Sequence, residues 1–297
     1  MGTTRVTDGA TIGGVVISNA SKVWWPDEGI TKGDIARFYH EISPALLPWM
    51  RDRPLTAERC PDGMLGGCFY RKNFPEGNIP VHAPRLRLRA ESTGKDVNYL
   101  VGGTLDALLG LVRVGCIAMH VMNSRASSMH DADWLAFDLD PSSGEFADTV
   151  RAGRVLMAVL DEHRLVSFPK TSGSRGLHVF VPLRAGHSQE VVTAFAVRVG
   201  EELARREPEL VTMEHRKSAR GARVYADPFR NAPLQTIVTP YSVRRRPHAP
   251  VSTPLAWDEV TPKLDPGTFT IRTIDKRLAA ADPWKDFKRR AMRLPVA

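Results

Sequence analysis

Cysteine is scarce in this 297-residue chain, which has only Cys60, Cys68 and Cys116. An odd set without a CxxC pair argues against a disulfide framework and a zinc site, and fits a reducing cytoplasm. Long apolar runs are also missing. Nowhere do about 18 apolar residues follow one another, so no stretch reads as a membrane helix. The opening MGTTRVTDGA lacks the apolar core of a secretory leader and the Ser or Thr that N-myristoylation requires. No repeat, low-complexity tract or long linker is present. The phosphate loop GxxxxGK[ST] is absent as well. What is there is an ordinary globular composition, 42% hydrophobic and 25% charged, with length enough for one large domain. Lys and Arg number 41 against 33 Asp and Glu, a net +8 compatible with a polyanionic partner.

The most informative stretch is WLAFDLDP, residues 134–141. An apolar run predicts a buried strand that Pro141 stops, and positions i and i+2 of a strand share a face. Asp138 and Asp140 therefore project together. Carboxylates that close raise each other's pKa unless a cation lies between them, and such oxygen-rich sites suit Mg²⁺ or Mn²⁺. A strand end with two solvated acids satisfies the same spacing.

Along the chain, residues 11–17 read as a short strand. Thr31 caps a helix, with Asp34 three positions on, and Ile35, Phe38, Tyr39 and Ile42 follow helical spacing inward. Pro44 and Pro48 are expected to close it. Lys22 and Lys32 flank an exposed Trp25-Pro26 turn, where they could hold a phosphate or simply be solvated. Residues 54–60 and 68–72 read as strands joined by the Gly-rich turn PDGMLGG. Phe69-Tyr70-Arg71-Lys72 offers a stacking platform, with one aromatic expected in the core. Arg85, Arg87 and Arg89 alternate along one strand face. Thr104 caps a second helix with Leu105, Leu108, Leu109 and Val112 inside. His120 lies on a strand at 117–121, where a lone His is more often structural. Helices are expected over 145–164 and 188–206.

Between them, a strand at 166–169 leads into KTSGSRG and the strand LHVFVPL. Gly173 and Gly176 leave backbone N–H groups approachable, and Ser172, Ser174, Arg175 and His178 add donors, which makes a phosphate cradle. Then comes a basic block with Arg216, Lys217, Arg220 and Arg223. It leads into a strand at 223–227 whose end, Asp227-Pro228, repeats Asp140-Pro141. Arg244, Arg245 and Arg246 follow a further strand. Residues 257–293 read as helical, charged and without a motif.

Three strand-end acids, a donor loop and an Arg cluster form one chemical set. Phosphoryl and nucleotidyl transfer use two divalent ions about 3.5–4 Å apart to clamp the attacking and leaving oxygens, with cationic side chains on the triphosphate. Two alternatives were weighed. DLDPS nearly matches the DxDx[TV] nucleophile motif of haloacid-dehalogenase-type phosphatases, but Pro141 and Ser142 replace its usual Gly and Thr. A non-catalytic single-strand-binding module would explain the bases and aromatics, yet has no use for three clustered acids.

The combination AFDLDPSSG, SFPKTSGSRGLHVFVPL, RVYADPFRN and TPYSVRRRPHAPVSTPLAWDEV resembles the polymerase domain of bacterial ATP-dependent DNA ligase D. It equally resembles the stand-alone homologues of that domain in the archaeo-eukaryotic primase superfamily. The resemblance covers roughly residues 10–290, and nothing resembles ligase or phosphoesterase domains, so a stand-alone member is expected. It implies an α/β (α+β) fold with a twisted, mainly antiparallel catalytic sheet flanked by helices. It also implies a single domain, with 10–105 as an N-terminal part and 106–290 as the catalytic part.

By that resemblance, Asp138, Asp140 and Asp227 hold two Mn²⁺ or Mg²⁺ ions. His120, Ser172, Arg175, His178, Arg230 and Arg244 contact an incoming NTP or dNTP, with ribonucleotides preferred. Lys22 and Lys32 take the 5′-phosphate of gapped or primer–template DNA, and Arg59, Phe69, Tyr70 and Arg220 contact that DNA. Gap filling in end joining or excision repair, Ku and a separate ligase as partners, and a cytoplasmic, nucleoid-associated location complete the expectation. Arg175 stands where the family commonly has Lys. Residues 231–235 lack the basic and small residues usual there, and Tyr70 replaces a frequent Phe.

Overall fold

Alternation within WLAFDLDP divides the interior in two. Leu135, Phe137 and Leu139 enter one apolar cluster, whereas Trp134 and Ala136 enter another, as the period of two requires. Asp138 and Asp140 belong by parity with the second set. The computed structural model describes residues 8–77, 82–90, 94–142 and 145–295. In chain order, the strands of its two main sheets are β1 (Leu55–Arg59), β2 (Phe69–Arg71), β3 (Cys116–Val121), β4 (Trp134–Pro141), β5 (Phe168–Thr171), β6 (Leu177–Pro182), β7 (Val211–Thr212), β8 (Val224–Asp227) and β9 (Ile237–Val238). The long helices are α1 (Lys32–Met50), α2 (Leu105–Arg113), α3 (Phe146–Glu162) and α4 (Gln189–Arg206).

The five-stranded sheet has the order β5-β6-β4-β8-β7, parallel only between β7 and β8. The four-stranded sheet, β9-β3-β1-β2, is wholly antiparallel. Helices α3 and α4 cover one face of the larger sheet through Val150, Leu156, Val192, Phe195 and Val199. Helices α1 and α2 pack with the smaller sheet. Each buried aliphatic or aromatic side chain contributes about 1.5–3 kcal/mol of transfer free energy. The mixed α/β architecture with mainly antiparallel sheets is the expected one.

Several local expectations are corrected. Residues 11–17 form no single strand: Gly9–Ile12 and Val15–Ser18 pair as a hairpin, because Gly13 and Gly14 take positive φ of 54° and 83°. Pro44 and Pro48 lie inside α1 instead of closing it. Pro44 cannot donate to the carbonyl of His40, and Ser43 Oγ does so instead at 2.8 Å. The turn after Trp25 is exposed at Pro26 and Asp27 as expected, but the tryptophans are not: Trp24 and Trp25 are both buried, and Trp25 Nε1 donates to Arg246 O at 2.7 Å. Strand β5 runs on to Thr171, which draws Lys170 out of the expected loop and into the sheet. Arg85 turns back on the chain, its Nε donating to Phe74 O at 2.9 Å, while Arg87 pairs with Asp96. The C-terminal piece is mostly turns, with one short helix at Asp275–Ala279. Pro262, Pro266 and Pro283 interrupt it.

Cysteine also differs from expectation. Cys60 and Cys68 form a disulfide, their Cα atoms 4.4 Å apart, because β1 and β2 pair on either side of the turn at 61–67. Two cysteines flanking a hairpin turn were the available signal. Cys116 is free and buried. Among the described residues, no helix is long and apolar enough to cross a membrane.

The capping box at Thr31 is present as expected: Asp34 N donates to Thr31 Oγ1 at 3.1 Å, and Thr31 N donates to Asp34 at 2.8 Å. Thr31→Ala should lower the unfolding free energy by about 1 kcal/mol, measured as a lower urea midpoint at unchanged slope.

Candidate active site

Strand register assembles the site. On β4, Asp138 lies opposite His178 of β6 and Asp227 of β8, and His178 lies opposite Lys170 of β5. Directly opposed residues share a sheet face, so Lys170, His178, Asp138 and Asp227 form one row across four strands. Asp140 stands two residues beyond Asp138 on the same face.

Arg230 crosses this row. Its Nε lies 3.3 Å from Asp138 Oδ2 and 3.2 Å from Asp227 Oδ2. On the other side of Asp138, His178 Nε2 is 3.1 Å from Oδ1. The charge of Asp138 together with burial raises the Asp140 carboxyl from 3.8 to about 6. Burial also raises Asp227. His178 and His120 are held well below the usual imidazole range by burial, reinforced by nearby cations, so both are neutral donors or acceptors.

A cleft of about 570 Å³ opens over the row, lined by His120, Asp138, Asp140, Ser172, Arg175, His178, Arg220, Arg230 and Arg244, with Tyr70 at one side. Gly176 lets the donor loop approach β4 closely: a Cβ there would stand 2.5 Å from Leu139 O and 2.9 Å from Asp140 Oδ1. The donor loop is less open than expected. Ser172 Oγ accepts from the N–H groups of Ser174 and Gly176 at 3.2 and 3.0 Å, so those amides shape the loop and do not face a ligand. Arg244 Nη1 donates to Ser172 O at 3.0 Å, and Arg246 Nε to Ser174 Oγ at 2.9 Å. The positive charge at the cleft is therefore carried by side chains: Lys72, Arg175, Lys217, Arg220, Arg230, Arg244 and Arg246.

Of the DNA-contact candidates, Phe69 and Tyr70 are both exposed, at 48% and 60%, which corrects the expectation that one is core. Strand β2 is an edge strand, so neither of its faces is fully covered. Tyr70 meets the His120 ring edge-on at 5.3 Å. Arg220 is buried, packed 3.6 Å over the Tyr225 ring and donating to Glu214 O and His215 O at 2.8 Å.

Lys22, Lys32 and Arg59 lie outside the cleft and form a second basic cluster. Lys32 is buried, its Nζ donating to Ser18 O and Arg113 O, both at 2.7 Å. Burial, then the charges of Lys22, Arg113 and Arg59, lower its pKa to about 8. Lys22 Nζ pairs with Asp62 at 2.6 Å. Arg59 stands 5.8 Å over the Phe69 ring.

Lys170 and Thr56 join the site without any signal of their own in the sequence, and Lys72, Lys217 and Arg246 join it from basic stretches that gave no pointer to the cleft. Lys170 is fully buried, its ammonium donating to Ser252 Oγ. The other four line the cleft but carry no spacing of their own.

The donor set fits hard divalent cations. Asp138 and Asp140 offer carboxylates from one face, Asp138 Oδ1 is buried without a hydrogen-bond donor, and their mutual repulsion is what a cation relieves. Among the described residues, no three His, Cys, Asp or Glu side chains already form a metal cage. The guanidinium of Arg230 holds the space between Asp138 and Asp227.

Acids at strand ends and a cleft walled with arginines, on a mixed α/β fold with mainly antiparallel sheets, suit a phosphate-rich substrate, and the primase-polymerase class follows from the family match. Residues 31–284 match the family model described as the LigD primase-polymerase domain. The chain is 29% identical to the multifunctional non-homologous end joining protein LigD of Pseudomonas aeruginosa, over 97% of this chain and 34% of that protein. It is 31% identical to the LigD of Mycolicibacterium smegmatis, over 92% and 35%. It therefore spans about a third of the length of these relatives. A solved structure of the polymerase domain from Mycobacterium tuberculosis ligase D in complex with DNA superposes with a TM-score of 0.85 at 30% identity. That match covers 93% of this chain and 99% of the other. This chain belongs to the LigD primase-polymerase domain family. Polymerase domains work on nucleotide substrates with divalent metal ions.

The raised carboxyl of Asp140 has a pH signature. A carboxyl whose folded pKa exceeds its unfolded value binds its proton more tightly in the native state, so stability falls as pH rises between them. In chelator, the stability of the parent relative to Asp140→Asn should decline from near pH 3.8 to about 6, read as the difference between their unfolding free energies across that range.

Proposed function

We propose that this protein is a template-directed nucleotidyltransferase that extends a DNA 3′-hydroxyl across short gaps in end-joining or excision repair. The observation that carries this reading is the row His178–Asp138–Asp227 with Asp140 beside it, under a cleft walled by Arg175, Arg230 and Arg244. Asp138, Asp140 and Asp227 would hold two Mn²⁺ or Mg²⁺ ions, which supply charge neutralisation on the triphosphate and activation of the attacking hydroxyl.

The chain's own groups do the rest. Arg175, Arg230 and Arg244 bind the triphosphate and offset the charge that grows as pyrophosphate departs. His120, His178 and Ser172 orient the sugar and phosphates, and a ribonucleotide is the preferred substrate. Exposed Phe69 and Tyr70 stack on template bases, and Arg220 tracks the duplex. Lys22 and Lys32 receive the 5′-phosphate across the gap, and Arg59 stands beside the stacking Phe69. Residues 10–105 thus serve mainly the DNA and 106–290 mainly the chemistry. The four-stranded sheet joins them by drawing strands from both. Ku and a separate ligase are the proposed partners, and the nucleoid in the cytoplasm is the proposed location.

One assay on a gapped duplex with NTPs or dNTPs and Mn²⁺ tests the reading. Asp138→Ala and Asp227→Ala should each abolish extension while retaining DNA binding, scored by gel extension and by anisotropy. Mutants that extend like the parent would refute it, as would phosphate release from simple monoesters with Asp138 as nucleophile. Lys22→Glu should erase the preference for 5′-phosphorylated over unphosphorylated gaps, read as the ratio of the two binding constants.

A further inference from the structure

Strand β8 ends opposite Asp138, yet β4 continues to Ala136 and beyond. The N–H and C=O of Ala136, on the side that β8 no longer reaches, need partners because the residue is buried. Asn231 provides them. Its Oδ1 accepts from Ala136 N at 2.8 Å, and its Nδ2 donates to Ala136 O at 2.8 Å and to Pro228 O at 2.7 Å. The amide orientation is forced, since a flipped group would set N–H against N–H. A carboxamide here acts as one more peptide unit of the missing strand.

We propose that Asn231 is a positioning residue that fixes Arg230 against Asp138 and Asp227. The single turn Phe229–Asn231 is pinned at both ends. At its start, Phe229 N donates to Asp227 Oδ1 at 2.9 Å, and at its end Asn231 is locked onto β4. Arg230 lies between the two pins. Asn231 is wholly buried and reaches no solvent or cleft, so it acts only through its neighbours. A relay supports it from behind: Asn123 Nδ2 donates to Asn231 O at 3.2 Å, and Gln189 Nε2, at the start of α4, donates to Asn123 Oδ1 at 2.7 Å.

The nucleotide readout rests on the function proposed above; the spectroscopic readout does not. In the free protein, the Arg230 Nε–H should give a slowly exchanging NMR signal, assigned by its loss in Arg230→Lys. Asn231→Asp keeps the acceptor for Ala136 N but loses both N–H donors when ionised and keeps a single O–H donor when protonated, so Ala136 O or Pro228 O is left unpaired. It should speed exchange of that signal by about tenfold or more and weaken NTP binding by a similar factor. Leu203→Ala, buried in α4 and remote from the cleft, serves as the destabilised control and should leave both unchanged. The double variant Asn231→Asp/Arg230→Ala should bind NTP no worse than Arg230→Ala alone, because the two residues act as one unit. An exchange rate in Asn231→Asp that matches the Leu203→Ala control, or additive losses in the double variant, would overturn the assignment. If Asn231→Asp does not fold, Asn123→Ala, which frees the Asn231 carbonyl and the Gln189 amide behind it, carries the same exchange comparison with the same two outcomes. Normal exchange behaviour in a wild-type protein that fails to extend primers would sink the proposed function and leave Asn231 standing.

Discussion

Mutual repulsion among carboxylates is the constraint around which this molecule is arranged. Asp138, Asp140 and Asp227 are held on one sheet face although the charge of Asp138 disfavours the ionised forms of both Asp140 and Asp227. The hydrogen-bond ladder holds them there: β4 is paired on both sides, to β6 and β8, and its other face is buried under α3 and α4. A slip of one residue would drive two acids into that apolar layer and Leu139 into the cleft. The apolar half of the strand thus enforces the polar half.

Nitrogen groups answer the acids in layers. Arg230 touches them directly, His178 flanks Asp138 as a neutral ring, and buried Lys170 stands one strand further along the same row. The arginines of residues 244–246 brace the donor loop and the smaller sheet at once. Arg244 and Arg246 bond to Ser172 and Ser174, and Arg245 pairs with Glu58 of β1 at 2.8 Å. A basic run that resembles a solvated face in sequence is here the seam between two sheets.

Much of this was legible in the chain. The period-two run at 134–141 placed Asp138 and Asp140 on one face, and the repeated Asp-Pro strand end pointed to Asp227. The capping signals at Thr31 and Thr104 marked helix starts correctly. What stayed hidden depends on contacts between distant segments. Periodicity says which face a residue occupies, not which residue lies opposite, so Lys170 beside His178 was invisible. The amide of Asn231 fills a gap that exists only because β8 is shorter than β4. Proline statistics could not foresee that Ser43 would take up the carbonyl bond that Pro44 cannot make. The Cys60–Cys68 bridge rests on a hairpin whose two strands are legible in the sequence, whereas the count of three cysteines points away from any disulfide.

The hydroxyl of Tyr39, seven residues into α1 from Lys32, donates to Ile117 O at 2.6 Å and accepts from Val243 N at 3.0 Å. Helix α1 is thereby fastened to β3 and to the residue preceding Arg244. Seven residues of helix rise about 10 Å, and nothing along that path can stretch. The basic cluster at the helix start and the arginine at the cleft wall therefore sit at a set separation, like the jaws of a fixed gauge. On the proposed reading, the span of nucleic acid that fits between them is a length measured in helix turns.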